Sequence, residues 1–466
     1  MKNKRLVFCA LVVIVLLPSL VKNVSAQTNI VATNTTMFSK ASIVREYQRD
    51  LFLVYNEERL AKTSFSLVDI STGSCLTMKL PSLKVNDIEI VNDMAYFCGS
   101  IGTTVVAGWF DIQSVFYSGG SMSMIFVPTG LSCTPFPSFT EEILSLDKLE
   151  VIKYSTGFNH LVMVGKATCT SSSTTNTCIA EIYYDGTDYK LAYQVEHEGV
   201  FGYSDLTVIN SGVVGIVGVV VTGNKRGSEG EYWTAFNNPA VNTNMFISTP
   251  LPVPTYGSAN AYYGPHHDSE LLIDNVPGTP FFATVCQAVM STGSSLVEGT
   301  YLNLFHVVSG PLYRCRIDDY YSLKYRELKY NPSTNSFFLL MEDCATNMHN
   351  GYYEFVLDNT MSYVTNVYFH QELGLNDYVS LDRCILSTPR SQCVLTGYDG
   401  NNNFYIWKHD YASQHSCTKT SDVPYLSVPT DAGVFYPNYP YGVTSLAIYS
   451  YTNRIYQSVL TTICDE

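Results

Sequence analysis

The densest group of side chains able to bind a metal or move a proton is Gly264-Pro265-His266-His267-Asp268-Ser269-Glu270. It sets two imidazoles and two carboxylates within five residues. Neighbouring residues of a strand point to opposite faces, so His266 and His267 meet one ligand only if the segment is a loop. The plainer reading is a polar turn running into the strand Leu271-Leu272-Ile273. A second imidazole, His197, stands between Glu196 and Glu198 and reads as a solvated turn. The zinc-protease string His-Glu-x-x-His, the hydrolase elbow Gly-x-Ser-x-Gly and the calcium loop Asp-x-Asp-x-Asp-Gly do not occur. No catalytic residue, metal ligand or cofactor is therefore assigned.

Tyrosine is the unusual residue, with 35 copies against 3 Trp. Its ring packs on apolar groups or on the face of a sugar, while its hydroxyl stays wet or hydrogen-bonded. Segments dense in it include Phe435 to Tyr441, with Tyr436, Tyr439 and Tyr441, and Tyr256 to Tyr263, with Tyr262 and Tyr263. Read as loops, these suit recognition, and with His266 and His267 they form the candidate ligand-binding set. Strands also favour tyrosine, which is the competing explanation.

The first 26 residues read as an export leader. Lys2, Lys4 and Arg5 precede the unbroken apolar run Leu6 to Leu17, and Val24-Ser25-Ala26 offers small or modest residues for cleavage before Gln27. Twelve helical residues span about 18 Å, short of the roughly 30 Å a membrane crossing needs. Cys9 lies inside the apolar run rather than at the cleavage point, so there is no lipobox. No later apolar run is long enough to span a membrane. The expected location is secreted or periplasmic, with residues 27–466 as the mature domain. Net charge is −14, and the leader removes four basic residues and no acid, which argues against nucleic acid as a partner.

Of 13 cysteines, losing Cys9 leaves an even number, as an oxidising compartment favours. Cys169 and Cys178, like Cys384 and Cys393, enclose eight turn-rich residues between strand-like runs. Both pairs are expected to form disulfides across hairpins. The remaining eight stay unassigned. Close thiolate pairs of the C-x₂-C kind are absent, which disfavours zinc.

These residues must be carried by strands. Charged residues make up only 15% of the 466-residue chain against 46% hydrophobic and 13% aromatic. Helical periodicity is almost absent, and short apolar runs bounded by Gly, Asn, Asp, Ser and Pro recur throughout. A unit of strand, turn, aromatic-rich strand, turn and third strand can be read from starts near residues 43, 86, 149, 203, 267, 323, 379 and 443, a mean spacing of about 57 residues. Four-stranded repeats of that length, set radially, are propeller blades. The expected fold is all-β, a single β-propeller of about seven four-stranded blades; six or eight also fit. In a closed ring the last blade joins strands from both ends of the chain, here Asn29–Phe38 with Thr444–Cys464. Tandem β-sandwiches are the alternative.

Val-Asn-Asp-Met-Ala-Tyr-Phe-Cys-Gly (91–99), followed by Gly-Trp-Phe-Asp-Ile (108–112), resembles the blades of secreted bacterial β-propeller proteins related loosely to kelch-type repeats. That resemblance implies a fold and no activity. Kelch double glycine occurs once, at Gly119-Gly120, and Glu231-Tyr232-Trp233-Thr234-Ala235 has alanine where a Tyr-Trp-Thr-Asp repeat would have its acid. The expected function is a binding or interaction module for an extracellular protein or glycan. An extracellular glycan hydrolase or lyase would instead need paired carboxylates, for which Asp87, Asp205, Asp268 and Asp382 are the candidates on a central channel. A structural envelope component is the third class. Oligomeric state is left open.

Overall fold

The computed structural model describes residues 28–32, 42–48, 50–57, 62–69, 75–118, 120–127, 131–132, 140–153, 159–169, 175–184, 186–187, 189–196, 200–211, 216–225, 231–236, 247–251, 261–265, 272–291, 296–307, 310–318, 323–343, 351–371, 380–387, 392–398, 404–410, 418–421, 443–447 and 459–462. These residues form strands grouped into seven sheets.

Sheet I runs β2 (Ser42–Tyr47), β3 (Asp50–Glu57), β4 (Lys62–Asp69) and β5 (Cys75–Pro81). Sheet II holds β6 (Leu83–Val91), β7 (Met94–Ile101), β8 (Thr104–Asp111), helix α1 (Ile112–Ser118) as a connection, and β9 (Ser121–Phe126). Sheet III comprises β10 (Leu131–Ser132), β11 (Thr140–Ile152), β12 (His160–Cys169), β13 (Thr175–Tyr184) and β14 (Tyr189–Glu196). Sheet IV is β15 (Val200–Ser211), β16 (Ile216–Lys225), β17 (Glu231–Phe236) and β18 (Ile247–Leu251). In sheet V, β19 (Ala261–Pro265) and β20 (Leu272–Asn275) both pair with β21 (Phe281–Ser291), followed by β22 (Leu296–His306) and β23 (Gly310–Asp318). Sheet VI is β24 (Leu323–Asn331), β25 (Ser336–Asp343), β26 (Gly351–Leu357) and β27 (Val364–Gln371). Sheet VII starts with β28 (Ser380–Ser387), β29 (Gln392–Tyr398) and β30 (Phe404–Asp410), then takes β1 (Thr28–Ala32), β31 (Thr418–Ser421) and β33 (Val459–Thr462).

The first long strands touch in a closed circle: β2 with β6, then β11, β15, β20, β24, β28 and back to β2. Each sheet thus packs between two neighbours around an axis, which is a β-propeller. A sandwich would pair sheets face to face and leave each with one wet face. The sheets are not the uniform quartets expected of seven equal blades. Five are uninterrupted local meanders, while II and VII recruit strands from distant sequence. The expected joining of both ends of the chain in one blade is seen in sheet VII, where β1 and β33 flank β31, while the segment from Thr444 is divided between two sheets. β1 pairs antiparallel with β30, from Thr28 opposite Lys408 to Ala32 opposite Phe404. β32 (Val443–Ala447) goes instead to β9 of sheet II.

Packing on both faces explains why the middle strands read as continuous apolar runs. Every residue of β7 from Ala95 to Gly99 is buried. Cores lie between sheets. Phe52 and Phe65 of sheet I meet Phe97 and Phe110 of sheet II and Phe116 of α1, with ring centroids 5.5–6.4 Å apart. Full burial of each such ring contributes roughly 1.5–3 kcal/mol. Helix α1 escaped the strand-only reading. Asp111 caps it, its Oδ1 accepting the Ser114 N–H at 2.5 Å, and Ile112, Val115 and Phe116 form its buried stripe.

One recurrent detail sets the register. The innermost strand bulges near its middle in sheets II, III, IV, VI and VII, and in four of them the residue before the bulge faces a glycine. The pairs are Val85–Gly99, Leu146–Gly165, Tyr203–Gly223 and Leu381–Gly397. A Cβ on Gly99 would lie 1.9 Å from the Lys84 carbonyl oxygen, and one on Gly165 would lie 2.0 Å from that of Ser145. The bulge brings backbone where a side chain would stand, so only glycine fits.

Candidate functional site

The inner strands place a recurring aspartate beside each neighbouring sheet. Asp87 of β6 accepts the Ile88 N–H on Oδ1 at 2.9 Å and the Leu149 N–H of β11 on Oδ2 at 3.0 Å. Asp205 of β15 repeats this with Leu206 at 3.0 Å and Ile273 of β20 at 3.3 Å. Asp274 of β20 does so with Asn275 at 2.9 Å and Tyr330 of β24 at 2.6 Å. One oxygen holds the local backbone and the other fastens the next sheet. These are charge-assisted bonds to amides that would otherwise be left without partners at the edge of an inner strand.

Between these fastenings the inner wall carries mixed charge. Arg45 of β2 reaches across to sheet II, with Nη2 2.8 Å from Asp87 Oδ1 and Nε 3.2 Å from Glu89 Oε2. Burial alone would lower the pKa of Arg45, but Asp87 and Glu89 more than reverse that and it is raised. Lys329 of β24 behaves alike: burial opposes its charge, Glu327 and Asp274 favour it more strongly, and its pKa rises. Its ammonium lies 3.8 Å from Glu327 Oε1. Glu150 of β11 is pushed well above the usual carboxylate range by burial and then by Glu89, with Lys329 opposing. Asp205 is pushed up by burial, and Asp274 up to about 6 for the same first reason. The wall thus holds fixed cations beside carboxyls of differing proton affinity. Among the described residues no group of three or more His, Cys, Asp or Glu is placed to hold a metal ion.

A second constellation lies in the crevice between sheets II and III, at the end where β13 turns into β14. Tyr184 and Tyr189 face each other across that hairpin, their ring centroids 5.1 Å apart and planes tilted by 54°. Trp109 of β8 follows, 4.9 Å from Tyr189 and tilted by 43°. Exposure falls from the lip inward: Tyr184 is 43% exposed and Trp109 8%. The Asn159 side-chain amide donates to the Tyr96 hydroxyl at 3.0 Å. Burial, and then the nearby hydroxyls of Tyr184 and Tyr96, raise the pKa of Tyr189, so its phenol stays neutral. On the opposite face of sheet III, His160 Nδ1 lies 2.5 Å from Oε1 of the buried Glu181.

The sequence candidates fare unevenly. Tyr436, Tyr439, Tyr441, His266, His267 and Asp268, and the leader 1–26, lie outside the described residues, as does His197. Tyr262 and Tyr263, read as part of a loop, belong to strand β19. Asp382 stands at the β28 bulge. Asp87 and Asp205 do stand on inner strands, but as fasteners between sheets.

The Cys169–Cys178 disulfide expected across a hairpin is corrected by register. Cys178 stands opposite Gly165, four positions from Cys169 along β12. That is about 13 Å at the strand rise, beyond any disulfide. Cys384 stands opposite Leu395 and Cys393 opposite Leu386, a diagonal relation. In each case the hairpin folds off the midpoint between the cysteines. Cys98 is a buried thiol whose Sγ contacts the Leu146 carbonyl at 3.4 Å.

Sequence reasoning missed Arg45, Glu89, Glu150 and Lys329. For two of them a signal was there: Glu89 and Glu150 each sit between two apolar residues of a first strand, in Ile88-Glu89-Ile90 and Leu149-Glu150-Val151; Arg45 and Lys329 stand among other charges. Trp109, Tyr184 and Tyr189 were passed over because nothing local shows that two hairpins of different sheets meet.

The arrangement of sheets and its fastened inner wall define a β-propeller, an architecture suited to binding and interaction. The chain matches no known protein-family profile and no curated protein. Solved structures similar to it include the β-propeller domain of the Trilobed protease from Pyrococcus furiosus, at 7% identity and a TM-score of 0.46, over 80% of this chain and 96% of that one. Drosophila Semaphorin 2a is similar at 10% identity and a TM-score of 0.42, covering 83% and 75%. Saccharomyces cerevisiae Sqt1 follows at 8% and 0.39, covering 84% and 100%. Among the described residues no helix is long and apolar enough to cross a membrane.

Proposed function

We propose that this chain is an exported β-propeller that serves as a binding or interaction module for an extracellular protein or glycan. The observation that carries the reading is the use made of the inner-wall carboxylates. Asp87, Asp205 and Asp274 each spend both oxygens on backbone amides of two sheets. A carboxylate serving as general acid or nucleophile needs an oxygen turned to substrate. Recognition then falls to the two ends of the ring and the crevices between sheets. Export is supported by the leader pattern of residues 1–26.

Expression with the native leader, followed by N-terminal sequencing of the released protein, tests the export half. A start at Gln27 is expected, and retention in the cell with Met1 intact would count against it. Arrays of glycans and of extracellular proteins test the binding half. Turnover of a glycan by the purified chain, abolished by an inner-wall carboxylate variant, would replace it with the hydrolase or lyase reading.

A further inference from the structure

The geometry points to the crevice of Trp109, Tyr189 and Tyr184 as a binding site for a neutral glycan, with the apolar face of a sugar ring laid on Tyr184 and Tyr189. This rests on the reading of the chain as a binding module and gives that reading a location and a ligand class.

Three features favour the assignment. The rings step inward from an exposed lip to a buried floor, so they offer a ledge rather than a closed core. Tyr184 and Tyr189 are held opposite each other by the β13–β14 ladder, so the ledge is largely preorganised. The lip is polar as well as apolar: Tyr184, 43% exposed, carries its phenol hydroxyl beside its ring face, and deeper in the Asn159 amide is bonded to the Tyr96 hydroxyl. A sugar presents that same pairing, with C–H groups on one face and hydroxyls around the rim. Charge selects further. The chain carries −14 overall, so an anionic glycan is repelled at long range. A proline-rich peptide also stacks on aromatic rings and is the rival occupant.

The test uses the full mature chain and two probes: a panel of neutral gluco-, xylo-, manno- and chito-oligosaccharides, and a proline-rich peptide. Calorimetry measures affinity, and the part of the indole fluorescence quenching that is lost in Trp109→Phe reports on Trp109 among the three tryptophans. At least one neutral oligosaccharide should bind. Tyr184→Ala should weaken it about tenfold or more, the size of effect a stacked aromatic contact gives, while Tyr184→Phe, which keeps the ring, should stay within about threefold of the parent. Tyr363→Ala, at an exposed tyrosine of sheet VI, should change nothing. Tyr184 is half out in solvent, so its loss should leave the fold intact, as circular dichroism would verify.

Sugar binding that is indifferent to Tyr184→Ala overturns the site and leaves the binding-module reading standing. Peptide binding that is lost with Tyr184→Ala, with no sugar bound, overturns the ligand class. Silence toward every probe overturns the inference, and the array experiment then decides whether the broader reading survives.

Discussion

The joint between sheets II and III is closed differently at its two edges. At the inner edge, Asp87 takes the Leu149 amide, and Arg45 from sheet I locks the same carboxylate. At the outer edge, Trp109 leans on Tyr189, which leans on the exposed Tyr184. The inner contact consumes functional groups: Asp87 is bonded to two backbone amides and Arg45, and Glu89 to Arg45. The outer contact leaves Tyr184 at the surface. Two surfaces of one joint are thus divided between holding the ring together and meeting something else.

The largest effect should come from the bulge that shapes the inner edge. Gly99→Ala would place a methyl 1.9 Å from the Lys84 carbonyl oxygen, and that neighbour is backbone. Loss of about 3 kcal/mol or more is expected by urea unfolding. A cost under about 0.5 kcal/mol would mean that the bulge yields easily and that the inner edge is no stiffer than the outer.

Asp87→Ala follows. It strips a buried partner from Arg45 and the acceptor from Leu149, and breaking such a buried pair costs about 3–5 kcal/mol. Asp205→Ala should cost about 1.5–3 kcal/mol, because only backbone donors are orphaned. Equal losses would mean that Arg45 adds nothing to the fastening.

A smaller signature is expected with pH. The Asp274 carboxyl is raised to about 6 from an ordinary 3.8, so the fold favours its protonated form. Its contribution to stability is fully present below the ordinary value and is lost as pH rises through about 6. Unfolding midpoints measured across that window should fall with pH in the parent, and less steeply in Asp274→Asn. An unchanged slope would assign the effect to another carboxyl.

The smallest stability change belongs to the outer edge. Tyr184→Ala should stay within about 0.5 kcal/mol of the parent, as surface substitutions do. A loss approaching that of Asp87→Ala would erase the contrast, because the ledge would then be structural as well.

Much of the ring was legible because alternation and turn residues are local. Val85 to Gly99 reads as two strands around Asn92-Asp93, and Asn92 does take the left-handed conformation the turn needs, at φ 57°. The glycines ending Phe97-Cys98-Gly99 and Met163-Val164-Gly165 were visible as strings, though their cause, the bulge opposite, was not. What the sequence withholds is pairing between distant segments. β32 joins β9 across more than 300 residues, and Trp109 meets Tyr189 from another sheet. The Cys169–Cys178 expectation failed for a related reason. A hairpin's midpoint is set by turn geometry, so equal spacing between two cysteines does not make them partners.

The aspartate fasteners all point the same way round: sheet II holds III, IV holds V, and V holds VI. Sheets II, IV and V therefore each present an acceptor to the sheet that follows, a head-to-tail relation that repeats around a closed circle. A polypeptide cut short of sheet VII would leave sheets VI and I without the neighbour that joins them, since β28 touches both β24 and β2. Such a fragment should grow by end-to-end addition, and the missing sheet supplied as a separate peptide should cap that growth.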